Sequence, residues 1–69
     1  MSLNLNEEEL LDVLRERGEL SGFSIAKYLE WGSAKLYPIL ASLEERQIIT
    51  SRWETSEYPR TRLYKLNQS

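Results

Sequence analysis

Residues 21–43 read SGFSIAKYLEWGSAKLYPILASL, and this stretch decides the fold. Gly22, Ile25, Ala26 and Leu29 stand at i, i+3, i+4 and i+7, the spacing of one buried helical face. Ser21 stands where a cap residue belongs, and Glu30-Trp31-Gly32 breaks the pattern. The same spacing returns at Leu36, Ile39, Leu40 and Leu43, behind a second cap candidate, Ser33. Helices are therefore expected over about 22–30 and 33–46, joined by a turn of a few residues around Gly32. Pro38 stands about five positions into the later helix, near the limit of what a first turn tolerates. It predicts a local tightening or a start slightly after Ser33. The helix should end near Gln47, without the glycine that most often makes this stop.

Working outward, Asn6 is followed by Glu7, Glu8 and Glu9 and then by Leu10, Leu11 and Leu14. Asn6 as cap, Glu9 as its capping-box acid and the apolar stripe predict a helix over about 6–17, stopped by Gly18. Glu19-Leu20-Ser21 has room only for an extended connector or a brief edge strand. Beyond residue 47 the pattern changes. Ile48-Ile49-Thr50-Ser51-Arg52-Trp53 and Leu63-Tyr64-Lys65-Leu66 are rich in β-branched and aromatic residues, and the polar, proline-containing residues 55–60 lie between them. Strands are expected over about 48–54 and 61–66. The order helix, helix, short turn, helix, hairpin is that of an α+β winged helix-turn-helix: three helices followed by a two-stranded β-hairpin wing, in a single domain over 1–69.

Composition narrows the chemistry. A chain of 69 residues buries only roughly 60% of the surface of its unfolded form, so it needs nearly all its apolar side chains in one core. It has no cysteine and no histidine, which removes disulfides, thiolate metal sites and the usual general base. With no glycine-rich phosphate loop and no paired carboxylates facing a cleft, an enzyme is not expected, nor is a cofactor or metal. No apolar run reaches membrane length and no secretory signal pattern opens the chain, so no membrane association and a cytoplasmic location are the expectations.

The net charge of −2 hides a polarity. Residues 1–30 carry Arg15, Arg17 and Lys27 against Glu7, Glu8, Glu9, Asp12, Glu16, Glu19 and Glu30. Residues 31–69 carry Lys35, Arg46, Arg52, Arg60, Arg62 and Lys65 against Glu44, Glu45, Glu54 and Glu57, and no acid follows Arg60. The positive end lies with the hairpin.

Gly22-Phe23-Ser24-Ile25-Ala26-Lys27-Tyr28-Leu29-Glu30 resembles the second helix, GYxIAxxLE, of the PadR-like transcriptional regulators. Leu36-Tyr37-Pro38-Ile39-Leu40-Ala41-Ser42-Leu43-Glu44 resembles their third helix, LYPxLxxLE, and Ile48–Glu54 and Arg60–Leu66 look like the two strands of their wing. The resemblance covers roughly residues 20–66 and implies a DNA-binding repressor or other regulator. Gln47 stands where the family usually has glycine. Family members generally carry a long dimerising helix after the wing. The chain stops at Ser69, so a short form lacking that helix is expected.

The third helix is expected in the major groove, whose width admits one helix. Its apolar stripe faces inward, which leaves Ala34, Lys35, Pro38, Ala41, Ser42 and Glu45 outward, with Tyr37 at the flank. Ser33 and Lys35 are the candidates for base or phosphate contact at the helix start. The resemblance implies a phosphate contact for Tyr37, against packing on helix two as its alternative. Arg60 and Arg62, of one strand parity and without nearby acids in sequence, are the candidates for phosphate or minor-groove contact, and Arg52 is a weaker third. Lys27, on the outer face of helix two, is expected at the DNA backbone. Phe23, Tyr28, Trp31 and Trp53 are expected in the core, because so small a domain needs their area. The expected partner is double-stranded DNA, with a homodimer as a candidate arrangement because two-fold operators mirror protein dimers. The alternative is a winged-helix protein–protein interaction module that does not bind DNA by itself, which the acidic pI of about 5.1 and the weakly charged third helix fit.

Overall fold

The computed structural model describes residues 3–54 and 61–67. Helix α1 spans Leu5–Arg17, strand β1 Leu20–Ser21, helix α2 Gly22–Leu29, helix α3 Ser33–Glu45, strand β2 Ile49–Trp53 and strand β3 Arg62–Leu66. The strands form one antiparallel sheet in the order β1-β3-β2. The sheet is one strand wider than the expected hairpin: Leu20 pairs with Tyr64 and Ser21 with Leu63. The connector after α1 thereby covers an edge of β3 that would otherwise carry unpaired backbone groups.

Helix α1 begins earlier than the glutamate run suggested. Its cap is Asn4, not Asn6: the Asn4 side chain accepts from Glu7 N at 2.8 Å, and Glu7 Oε1 accepts from Asn4 N at 3.0 Å. Both asparagines have a glutamate three residues on, so local sequence does not separate them. Tertiary structure does, because Glu7 is buried and its second oxygen accepts from Arg46 Nη2 just past the end of α3. A glutamate with two tasks inside the fold outcompetes the exposed Glu9.

Ser21 caps α2 as its position predicts, accepting from Ser24 N at 3.1 Å. Ser33, by contrast, does not cap α3. The N-cap is Gly32, without a side-chain bond, and Ser33 is the first helical residue. The Gly32 carbonyl accepts from both Lys35 N and Leu36 N, so the first turn is tightened, and the helix then runs through Pro38 to Glu45.

The core consists of Leu10, Leu11, Leu14, Ile25, Leu36, Leu40, Leu43, Ile49 and Tyr64. Leucines from α1 and α3 dominate it, so the three helices close on one another and on the inner face of the sheet with Tyr64 but without most of the other large aromatics. This corrects the expectation for three of them: Phe23 is 72% exposed, and Tyr28 and Trp53 are each 49% exposed. Trp31 packs at the edge of the core.

Helix α3 ends in a pair of backbone hydrogen bonds. Ile48 N donates to Leu43 O and Gln47 N to Glu44 O, both at 2.9 Å, and Gln47 takes up φ 61°. This is the Schellman arrangement, whose left-handed residue is usually glycine. A side chain there costs about 1–2 kcal/mol, and glycine costs roughly 0.5–1 kcal/mol in backbone freedom. Gln47→Gly is therefore expected to stabilise the protein by about 0.5–1 kcal/mol, raising Tm by roughly 4 °C in a circular-dichroism melt. A lowered Tm would contradict this account of the helix end.

Candidate nucleic-acid interface

Helix α3 turns Leu36, Leu40 and Leu43 into the core. The 3.6-residue repeat then sends Ala34, Lys35, Pro38, Ala41, Ser42 and Glu45 outward, and all are exposed. Small and uncharged side chains dominate this face, so a groove wall can approach the helix closely. Ser33 and Lys35 lie exposed in its first turn, where the helix dipole favours negative charge. Lys35 Nζ lies 4.4 Å from the centre of the Trp31 ring, which holds the ammonium near the helix start.

Tyr37 packs on α2, the alternative role that its position offered, while part of its ring stays open to solvent. Its ring lies against the first residue of α2: a Cβ added at Gly22 would stand 2.8 Å from Tyr37 Oη. A side chain at position 22 would force the hydroxyl end of Tyr37 to shift, and the tyrosine is 46% exposed. Lys27 is exposed on α2, 5.7 Å from the centre of the Phe23 ring, and borders a separate depression with Ser24 and Tyr28.

The sheet sorts the arginines by parity. Pairing sets Ser51 opposite Tyr64 and Trp53 opposite Arg62 on one face, with Arg52 opposite Leu63 on the other. Arg62 therefore continues the core-facing side toward the hairpin tip, 5.1 Å from the centre of the Trp53 ring. Arg52 is turned away and does not join it. Its guanidinium donates twice to Glu19, at 2.9 and 2.7 Å. That hydrogen bond holds the Glu19 carboxyl below its usual range and raises the guanidinium's already high value. Arg60 lies outside the described residues.

Arg62 is not clear of acids, as its sequence neighbours suggested. Its Nε donates to Ser51 Oγ at 3.0 Å, and its Nη2 lies 3.5 Å from Glu44 Oε2. Ser51 Oγ in turn donates to the same Glu44 oxygen at 2.5 Å. The acid comes from α3, 18 residues away in sequence, which no local reading reveals. Burial pushes the Tyr64 phenol up, with Arg62 opposing, so its hydroxyl stays neutral at physiological pH.

Tyr37 and Arg62 meet at one open cleft of about 600 Å³, with Ser21, Gly22, Phe23, Trp53, Thr61 and Tyr64 as its other walls. Two of these walls, Phe23 and Trp53, are residues that sequence reasoning placed in the core. For Trp53, shared strand parity with Ser51 and antiparallel pairing to Arg62 were the available signals. Among the described residues, four cations lie over aromatic rings: Arg17 on Tyr28, Lys27 on Phe23, Lys35 on Trp31 and Arg62 on Trp53. A chain of this length averages about one such pair, so the rings left out of the core are used to hold charge at the surface.

Two helices joined by a short turn, the later one presenting an open face beside a β-hairpin, define a winged helix-turn-helix domain. The sequence profile of the transcriptional regulator PadR-like family matches residues 10–69, and the chain belongs to that family. It is accordingly a regulator's DNA-binding domain and not an enzyme. Among solved structures, the Zalpha domain of PKZ from Carassius auratus, determined in complex with Z-DNA, is similar. The TM-score is 0.69 at 22% identity, over 87% of this chain and 89% of that one, a likeness of fold. Comparison with curated protein sequences gave no match. No described helix is long and apolar enough to cross a membrane, and the described residues contain no group of carboxylates arranged to hold a metal.

Proposed function

We propose that the chain recognises double-stranded DNA with α3 in the major groove and the β2–β3 hairpin on the flanking phosphates or minor groove. The observation that carries this is the outward face of α3: small, exposed, and bordered by Ser33, Lys35 and Tyr37 at the end where the helix dipole is positive. Arg62 on the hairpin and Lys27 on α2 supply cations to either side, and Arg60 extends the basic strand in sequence. Base-reading side chains are few, so affinity comes mainly from phosphate neutralisation. About four to six neutralised phosphates give a salt slope of roughly −4 to −5. Two copies on a two-fold operator double that number, and sedimentation of the protein with an operator-length duplex measures the stoichiometry.

Titration of the protein with mixed-sequence duplex at low salt, followed by amide shifts, tests the proposal. Shifts concentrated on α3 and the hairpin are expected. Their complete absence would leave a protein–protein interaction module as the better account. The Z-DNA bound by the similar Zalpha domain motivates one further arm, an alternating C–G duplex followed by circular dichroism. The major-groove proposal requires the right-handed spectrum to persist on binding. Inversion of that spectrum would replace it with recognition of left-handed DNA.

A further inference from the structure

We propose that the cleft between the start of α2, the flank of α3 and the β2–β3 hairpin receives a nucleobase that has left the stack of a DNA strand. The proposal rests on DNA binding by α3 and deepens it by naming a preference for DNA with an unpaired base. Three rings that a small domain would normally bury stand open around this cleft: Phe23 at 72%, Trp53 at 49% and Tyr37 at 46%. They are not scattered. They converge on one concavity of about 600 Å³, within the span of roughly 300–1,000 Å³ typical of small-ligand sites.

The chemistry of the walls selects the occupant. Aromatic rings offer stacking surfaces, which any base accepts regardless of sequence. Thr61, Arg62 and the neutral Tyr64 hydroxyl bring hydrogen-bonding groups to the same walls, suited to the edge of a base. Arg62, beside the Trp53 ring, places a cation where the phosphate of the same nucleotide would lie. Tyr37 belongs to both the cleft and the flank of α3, so a strand tracked by α3 passes its mouth. A paired duplex presents only base edges in its grooves, so these rings stack on a base only when it is extruded. Extrusion is least costly where the base has no partner.

The test uses the full chain carrying Trp31→Phe, which leaves Trp53 as the only tryptophan of the two. Three short DNAs are titrated: a paired duplex, the same duplex with one bulged base, and the same bulge lacking its base. The bulged duplex is expected to bind about tenfold tighter than the paired one and to quench Trp53 emission, while the baseless bulge matches the paired duplex. Trp53→Ala brings the ratio of bulged to paired affinity to about one. Phe23→Ala, at the open rim and expected to leave the circular-dichroism spectrum unchanged, does the same. Equal affinities for bulged and paired DNA, or equal binding of both bulges, overturn the cleft assignment alone. Failure of every duplex to bind at low salt overturns it together with DNA binding by α3.

Discussion

Leu40→Ala is expected to remove most of the folding stability of the protein and to lower its urea midpoint sharply. Leu40 is 1% exposed and lies mid-way along α3, in the core that α1, α2 and the sheet also line. Removing its branched end forfeits the transfer energy of the deleted carbons and leaves a cavity, together about 2–5 kcal/mol. A domain of 69 residues has roughly 3–10 kcal/mol in total, so the substitution takes most of it. Urea unfolding followed by circular dichroism measures the change. Leu5→Ala, at a position 78% exposed, is the comparison and should stay within about 0.5 kcal/mol of the parent. Similar midpoints for the two variants would refute the described core.

The other large effect concerns charge. Lys35→Ala combined with Arg62→Ala is expected to weaken binding to duplex DNA by roughly tenfold to a hundredfold at low salt. It should also flatten the salt slope by about two units, one for each phosphate that the variant no longer neutralises. Glu44→Gln should act in the opposite sense. The Glu44 carboxylate now shares Arg62 with Ser51, and phosphate must compete with it. Neutralising it is expected to raise affinity about threefold, the gain shrinking as salt screens the site. Fluorescence anisotropy across a salt series reads both variants. An unchanged slope in the double variant would exclude Lys35 and Arg62 from the groups that meet phosphate.

The helical framework was legible because leucine and isoleucine spacing alone fixes which face is buried. Leu36, Leu40 and Leu43 fall on the same repeat that hides them in the structure. The Leu36-Tyr37-Pro38 motif also carried the family, since proline is unusual so far into a helix. Less legible was anything decided between distant segments. Asn4 and Asn6 are locally equivalent caps, and only the arrival of Arg46 beside Glu7 separates them. Strand β1 is two residues long and exists because β3 has an edge to cover. The aromatics were misjudged for a related reason: residue type tells how much area a ring could bury, not whether leucines have already filled the space. Sequence named the candidates Lys35, Tyr37 and Arg62 one by one, without their neighbours in space. Trp31, Gly22 and Glu44, which hold them, are set by helix crossing and strand register.

The pairing of Glu7 with Arg46 also bears on the order of events in folding. The two residues are 39 apart along the chain, and the same glutamate closes the first turn of α1. The turn itself is closed locally by Asn4 and Glu7, but the tie from Glu7 to Arg46 waits for the far end of α3 to dock. A closure that depends on so wide a loop belongs among the late steps, after the leucines of the two helices have met. Its strength is then expressed in how slowly the native protein opens, and hardly at all in how quickly it forms.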